Sequence, residues 1–127
     1  MLFIGREKVR EKLEDDQYID ASKSHAIFIC GKRGSGKSYT MGVLVEELQE
    51  KHPDFLKIII DPMGIFWTMA ELNIEQEEEL WDWNLYAREY PVKLIVPGEV
   101  EKRFDSEVVK ELENKGIEFK QLLLNPS

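Results

Sequence analysis

The sequence has a single cysteine, Cys30, and therefore cannot form a disulfide within the chain. It contains no run that approaches the ~18 apolar residues of a membrane-spanning helix. The apolar start at residues 1–4 is too short for the core of a signal peptide, because Glu7 follows almost at once. We therefore expect a cytoplasmic protein without a membrane segment, in which Cys30 is a buried packing residue.

Positive charge is outnumbered by negative charge in this sequence. The chain has 17 Lys and Arg against 25 Asp and Glu, a net charge of −8. General nucleic-acid binders instead cluster Lys and Arg on one surface. The balance excludes a general nucleic-acid binder, and it leaves DNA contact to local loops or to further parts of a larger protein.

The most informative stretch is residues 31–38, which read Gly-Lys-Arg-Gly-Ser-Gly-Lys-Ser. They match the phosphate-binding pattern G-x-x-x-x-G-K-[ST] at every fixed position. The loop amides are expected to cradle phosphates, Lys37 to reach the β- and γ-phosphates, and the Ser38 hydroxyl to ligate Mg²⁺. The predicted nucleotide-binding residues are Gly31, Lys32, Arg33, Gly34, Ser35, Gly36, Lys37, Ser38 and Tyr39, with Lys37 also predicted to be catalytic.

The flanks of this loop fit the same interpretation. Residues 26–30 are apolar and uncharged, which predicts a strand covered on both faces. After the loop, apolar residues recur at helical spacing from Met41 to Leu48, and His52-Pro53 ends the predicted helix. Glu46, Glu47 and Glu50 are expected on its solvent face. The helix N-terminus would point at the phosphates and add its dipole to the attraction.

The rest of the chain alternates between predicted strands and helices. Strands are expected at residues 56–61, 92–96 and within 117–124, a short helix at 74–80, and a helix that begins near Asp105 and ends before Gly116. The predicted fold is therefore an α/β P-loop NTPase: a mostly parallel sheet with helices on both faces, as an incomplete RecA/FtsK-like core. Residues 26–127 would form this domain. Residues 1–25 would be a lead-in with a short helix within 6–16 and a brief strand at 18–20.

Asp61 is the only acid that follows an apolar run, in Ile58-Ile59-Ile60-Asp61. Three interpretations are open. Asp61 is the Mg²⁺-side acid of a small P-loop kinase, or it ends a strand beside the P-loop strand, or it begins the D-x-x-G of a GTPase. The GTPase interpretation is disfavoured because the sequence has no N-K-x-D to recognise guanine. We predict a catalytic role for Asp61 and a water-mediated contact between its carboxylate and Mg²⁺.

Residues 31–44 and 58–67, together with Ile4-Gly5-Arg6 and Leu94-Ile95-Val96-Pro97-Gly98, resemble the HerA/FtsK-type P-loop ATPases. The likeness is to the HerA-like (DUF87-type) archaeal ATP-binding proteins, and it extends over most of the chain. The resemblance implies an ATP- and Mg²⁺-dependent motor on double-stranded DNA, acting as a DNA translocase or helicase. It also implies a homo-oligomer, usually a hexameric ring, that often works with a nuclease partner. Lys37, Ser38 and Asp61 carry over as the nucleotide-side residues.

The resemblance covers the first part of such an ATPase. We therefore expect an N-terminal part of a longer enzyme that binds ATP weakly and hydrolyses it poorly or not at all on its own. Two alternatives stay open. One is the small kinase, and the other is a non-hydrolysing module whose contacts with a partner are gated by nucleotide.

Overall fold

The computed structural model describes residues 1–9, 12–82 and 85–122, which fall into two compact units, Met1–Ile60 and Asp61–Ser127. None of the helices in these ranges has the length and apolarity that crossing a membrane requires. The boundary expected between residues 25 and 26 stays a prediction from the sequence.

The first unit begins with an antiparallel pair, β1 (Leu2–Val9) and β2 (Lys12–Ile19). The helix expected within residues 6–16 is therefore wrong, whereas the strand expected at 18–20 lies at the end of β2. The cross-strand partners explain the outcome. Arg6 faces Asp16, with 2.8 Å between Nε and Oδ1, and the rings of Phe3 and Tyr18 meet edge to face. Such cross-strand pairs stabilise two paired strands. They cannot be recognised from the helical spacing of residues within one segment.

Helix α1 (Lys37–Lys51) follows the phosphate-binding pattern, as predicted, and the backbone N–H of His52 closes it by donating to the carbonyl of Leu48. Its expected solvent face is partly wrong. The Glu47 carboxylate accepts the backbone N–H of Phe3 at 3.0 Å, which ties β1 to α1. Glu46 is about half buried, and this burial, together with the charges of Glu47 and Glu50, raises the pKa of its carboxyl.

The strands expected at residues 26–30 and 56–61 are not formed. Phe28 and Ile60 are each 89% exposed, and Cys30 is exposed rather than buried as predicted. A strand needs a neighbour to accept its backbone hydrogen bonds. In the described part of this unit, β1 and β2 pair only with each other. The two apolar segments therefore have no ladder to join.

The second unit contains a 3₁₀ turn at Phe66–Ala70, α2 (Glu77–Asp82), β3 (Lys93–Pro97), a 3₁₀ turn at Val100–Lys102, α3 (Ser106–Asn114) and β4 (Glu118–Leu122). Strands β3 and β4 are parallel, with Lys93 opposite Glu118 and Val96 opposite Gln121. The third strand, the helix after Asp105 and the fourth strand are thus confirmed, apart from residues 123 and 124, which lie outside the described ranges. The parallel pair joined through α3 is one strand–helix–strand piece of the expected fold. The larger sheet with helices on both faces stays a prediction.

The chain reversal at the C-terminus of α3 places the following residue in the core of this unit. Gly116 has φ +79°, and its N–H donates to the carbonyl of Glu113, while the N–H of Ile117 donates to that of Leu112. These two bonds form a Schellman motif, which satisfies the last carbonyls of the helix. The chain reversal places Ile117 (2% exposed) against Leu112 and Ala70 in the core, with Trp67, Val92, Leu94 and Phe119 packed around them.

Candidate nucleotide site

Two left-handed glycines in the loop before α1 favour an anion-binding nest. Gly34 has φ +80°, and Gly36, the N-cap of α1, has φ +81° and ψ 13°. Both values are left-handed, a region that side chains disfavour and glycine adopts readily. Left-handed residues alternating with right-handed ones turn successive N–H groups toward the same side, where they can bind a phosphate. The loop leads directly into the N-terminus of α1, whose dipole also favours an anion.

A β-turn over residues 32–35 shapes the start of this nest. The N–H of Ser35 donates to the carbonyl of Lys32 at 3.2 Å. The same carbonyl accepts a second hydrogen bond from the Lys37 ammonium at 2.9 Å. Lys37, the predicted catalytic lysine, is thus anchored across the loop by a backbone carbonyl, and among the described residues no carboxylate pairs with its ammonium. Its ammonium is held at the loop, where it can exchange the carbonyl for a phosphate oxygen.

Gly31 is required by close approach rather than by its backbone angles. A Cβ built on this residue would overlap the hydroxyl of Ser35 and lie 3.1 Å from the Ser35 Cβ. The loop therefore folds back over its first glycine, and any side chain there would push Ser35 outward. Glycine at position 31 avoids this overlap, whereas a Cβ would require the Ser35 side chain to rotate and shift.

The first turn of α1 presents two further side chains expected at the site. Ser38 and Tyr39 are both exposed. Thr40 behaves differently, since its hydroxyl donates to the carbonyl of Gly36 at 3.1 Å and so braces the N-cap. Sequence reasoning missed this contact, although a Thr in the first helical turn is a known signal for bonding back to the fourth preceding carbonyl.

A Mg²⁺ ion with its phosphates fits this donor set. Within the described residues the Ser38 hydroxyl has no hydrogen-bond partner, so its oxygen can serve as a hard ligand. Outside such a complex the described ranges bring together no group of three or more His, Cys, Asp or Glu that could hold a metal. At nucleotide sites Mg²⁺ usually takes phosphate oxygens and water as its main ligands.

Asp61 belongs to the second unit, where its carboxylate organises a turn. Its Oδ1 accepts the N–H groups of Met63 (3.1 Å) and Gly64 (2.9 Å), and its Oδ2 accepts those of Ile65 (2.5 Å) and Phe66 (2.8 Å). Burial alone would raise the pKa of this carboxyl, but the four backbone donors together lower it. An ionised carboxylate has about four lone-pair positions, and here four donors occupy them. A water-mediated contact with Mg²⁺ would have to compete with these bonds.

The eight residues of the loop and the following Tyr39 lie at the start of α1, and their contacts with a nucleotide stay a prediction. The nest, the anchored lysine and the uncommitted serine hydroxyl define a P-loop nucleotide-binding protein.

The chain belongs to the family described as "Helicase HerA, central domain" (DUF87), which matches residues 8–122. This membership confirms the HerA-like resemblance and makes the chain an ATP-binding domain of the P-loop ATPase class. No curated protein and no solved structure showed a significant match to the chain.

Proposed function

We propose that this chain is the ATP-binding part of an ATP-driven translocase or helicase that acts on double-stranded DNA. The observation that carries the proposal is the P-loop nest with Lys37 anchored at the loop, in a chain that belongs to the HerA central-domain family. Residues 31–39 hold the nucleotide, with the loop amides and Lys37 on its phosphates and Ser38 on Mg²⁺.

The chemical role of these residues is electrostatic. When bound, Mg²⁺ supplies charge neutralisation at the β- and γ-phosphates. The loop amides and the Lys37 ammonium are fixed donors that stabilise the negative charge on the transferring phosphoryl group. In this proposal Asp61 acts as an acid near the nucleotide.

The remaining parts of the proposal concern the assembly. A homo-oligomeric ring, a nuclease partner and a cytoplasmic location are what the family resemblance implies. Because the chain has a net charge of −8, it is a poor general DNA binder. DNA contact in this proposal therefore depends on local loops within an oligomer rather than on the overall charge.

Nucleotide binding is tested first, by titrating the purified chain with a fluorescent ATP analogue in the presence of Mg²⁺. We expect saturable binding that Lys37→Ala weakens by about 10- to 100-fold, since a charge-assisted contact to phosphate is lost. Lys51→Ala removes the same charge at the other end of α1, about 21 Å away, and should bind like the unaltered chain. Equal binding by the Lys37 and Lys51 variants would refute the nucleotide site.

The translocase part needs its own measurement. ATP turnover by the whole protein that carries this domain is compared with and without double-stranded DNA, and its oligomeric state is measured by light scattering at the same protein concentration. Turnover that DNA stimulates, and that Lys37→Ala abolishes, supports the proposal. ATP binding whose turnover does not respond to DNA would refute the translocase and leave the ATP-binding domain.

A further inference from the structure

The P-loop carries more positive charge than its fixed residues require. The motif needs only Lys37, yet two of its free positions are Lys32 and Arg33. From Ala21 to Val45 the sequence contains four Lys and Arg and not one Asp or Glu, in a chain whose net charge is −8. The phosphate nest thus lies in a stretch whose positive charges are not offset by neighbouring acidic residues in the sequence.

The turn geometry places Arg33 at the apex of the loop. The hydrogen bond from the N–H of Ser35 to the carbonyl of Lys32 makes Arg33 and Gly34 the two central residues of a β-turn. The side chains of Lys32 and Arg33 are both exposed. Across residues 1–9, 12–82 and 85–122, neither of these two cations has a carboxylate within the 4.0 Å of an ion pair. Both charges are therefore available to a ligand.

The three cations of the loop differ in what holds them. Lys37 is tied to the loop backbone through the Lys32 carbonyl, so its ammonium stays over the nest. Arg33 has no such tether and projects from the apex. A diphosphate seated in the nest would already engage the loop amides and Lys37. A third phosphoryl group adds charge beyond the second, toward the rim of the loop, where an untethered guanidinium can form a bidentate contact with it.

We propose that Arg33, assisted by Lys32, makes this P-loop discriminate between nucleoside triphosphates and diphosphates by binding the terminal phosphoryl group. The inference rests on the proposed nucleotide site and adds a specificity determinant to it. Lys37 contributes affinity for both nucleotides. Arg33 and Lys32 contribute the preference for the triphosphate over the diphosphate.

The experiment measures ATP and ADP affinities by competition against one fluorescent nucleotide, at fixed ionic strength and Mg²⁺ concentration. The variants are Arg33→Ala, Arg33→Lys and the double variant Lys32→Ala/Arg33→Ala, with Lys51→Ala as the matched charge control. Lys51 lies at the last position of α1, is exposed, and shares the first unit with the loop. Circular dichroism checks that each variant retains the helix content of the unaltered chain.

We expect the ratio of ATP affinity to ADP affinity to fall about three- to tenfold in Arg33→Ala and further in the double variant, while ADP affinity changes little. Arg33→Lys should keep part of the ratio, because it keeps the charge and loses the planar fork. Lys51→Ala should leave the ratio unchanged.

Two results distinguish a failure of the proposed Arg33 role from a failure of the proposed nucleotide site. If ATP and ADP bind, and Lys37→Ala loses both, but Arg33→Ala keeps the original ratio, the specificity role is refuted and the nucleotide site stands. If the unaltered chain binds neither nucleotide, the proposed nucleotide site fails and the inference fails with it.

Discussion

The ammonium of Lys115 lies 2.6 Å from Oε1 of Glu71, a residue 44 positions earlier in the chain. Lys115 is the C-cap of α3, and its ammonium also lies 3.0 Å from Oε1 of Glu111 and 5.6 Å from the ring centre of Trp67. One side chain therefore joins the end of α3 to the 3₁₀ turn at Phe66–Ala70 and the residue after it. Because Trp67 packs on the core around Ile117, this contact holds the 3₁₀ turn against the buried core of the unit.

The first prediction concerns this contact. Lys115→Met keeps much of the aliphatic stem and removes the charge, so we expect the melting temperature to fall by a few degrees. Lys110→Met is the control, since Lys110 is exposed on the same helix and forms no ion pair within the described residues. Thermal melts monitored by circular dichroism measure both. An equal loss in the two variants would contradict a specific role for Lys115.

The same contact predicts a pH dependence. Hydrogen bonds to Glu71 and Glu111 raise the pKa of Lys115 above its ordinary 10.5. The folded state therefore favours the charged form, and the stabilisation is fully present below pH 10.5 and lost as the pH rises through the folded pKa. The difference in melting temperature between the unaltered chain and Lys115→Met should shrink above that pH. A difference that stays constant would contradict this account.

The second prediction uses two glycines of the first unit. Gly31→Ala would force Ser35 outward and distort the nest, so we expect ATP affinity to fall about tenfold. Gly42→Ala is the matched control, because a Cβ there meets nothing within 4 Å and Gly42 lies inside α1. That variant should bind normally and stabilise the helix by up to about 1 kcal/mol. Nucleotide titration and thermal melts separate the two effects, and normal binding by Gly31→Ala would contradict the close approach.

The third prediction concerns the turn that Asp61 organises. Asp61→Asn exchanges one acceptor oxygen for an amide and cannot accept all four N–H groups, so we expect a loss of about 1 kcal/mol in the free energy of unfolding at pH 7. Asp105→Asn is the control, because Asp105 makes no side-chain capping bond. Urea unfolding measures both. Equal stability of the Asp61 variant and the unaltered chain would contradict the capping role.

The lowered pKa of Asp61 fixes the sign of its pH dependence. The folded state favours the ionised form, so the stabilisation is present above the ordinary value of 3.8 and is lost as the pH falls through the lower folded pKa. The gap in stability between the unaltered chain and Asp61→Asn should therefore close in acid. The proposed Mg²⁺ role has a separate readout, since Asp61→Asn should then reduce the Mg²⁺-dependent part of the ATP affinity. An unchanged Mg²⁺ dependence would contradict that role.

The nucleotide loop was predictable because its constraints are local. A glycine that must turn left-handed, a lysine that must reach phosphate and a serine that must ligate Mg²⁺ are separated by fixed numbers of residues. The same holds for α1 and for the end of α3, where Gly116 marks a Schellman motif. Short-range hydrogen bonds decide these features, so the residue pattern is sufficient to predict them.

The errors have a common physical cause, which is pairing between distant segments. Residues 6–16 have a spacing that suits a helix, yet cross-strand partners such as Arg6 and Asp16 place residues 6–9 and 12–16 in paired strands. Residues 26–30 are apolar enough for a buried strand, yet a strand forms only where a neighbour accepts its hydrogen bonds. No property of those five residues records whether such a neighbour is in register.

The sequence by itself determined the class of this protein, through the P-loop pattern, and the position of the helix that presents it. Only the tertiary structure decided that Glu47 ties β1 to α1, that Lys115 joins α3 to Glu71, and that the Asp61 carboxylate binds four backbone N–H groups. The first two contacts depend on which distant groups come within about 3 Å of one another. The third depends on the backbone path of the turn at residues 61–66. The Asp, Pro and Gly of that turn permit this path but do not specify it.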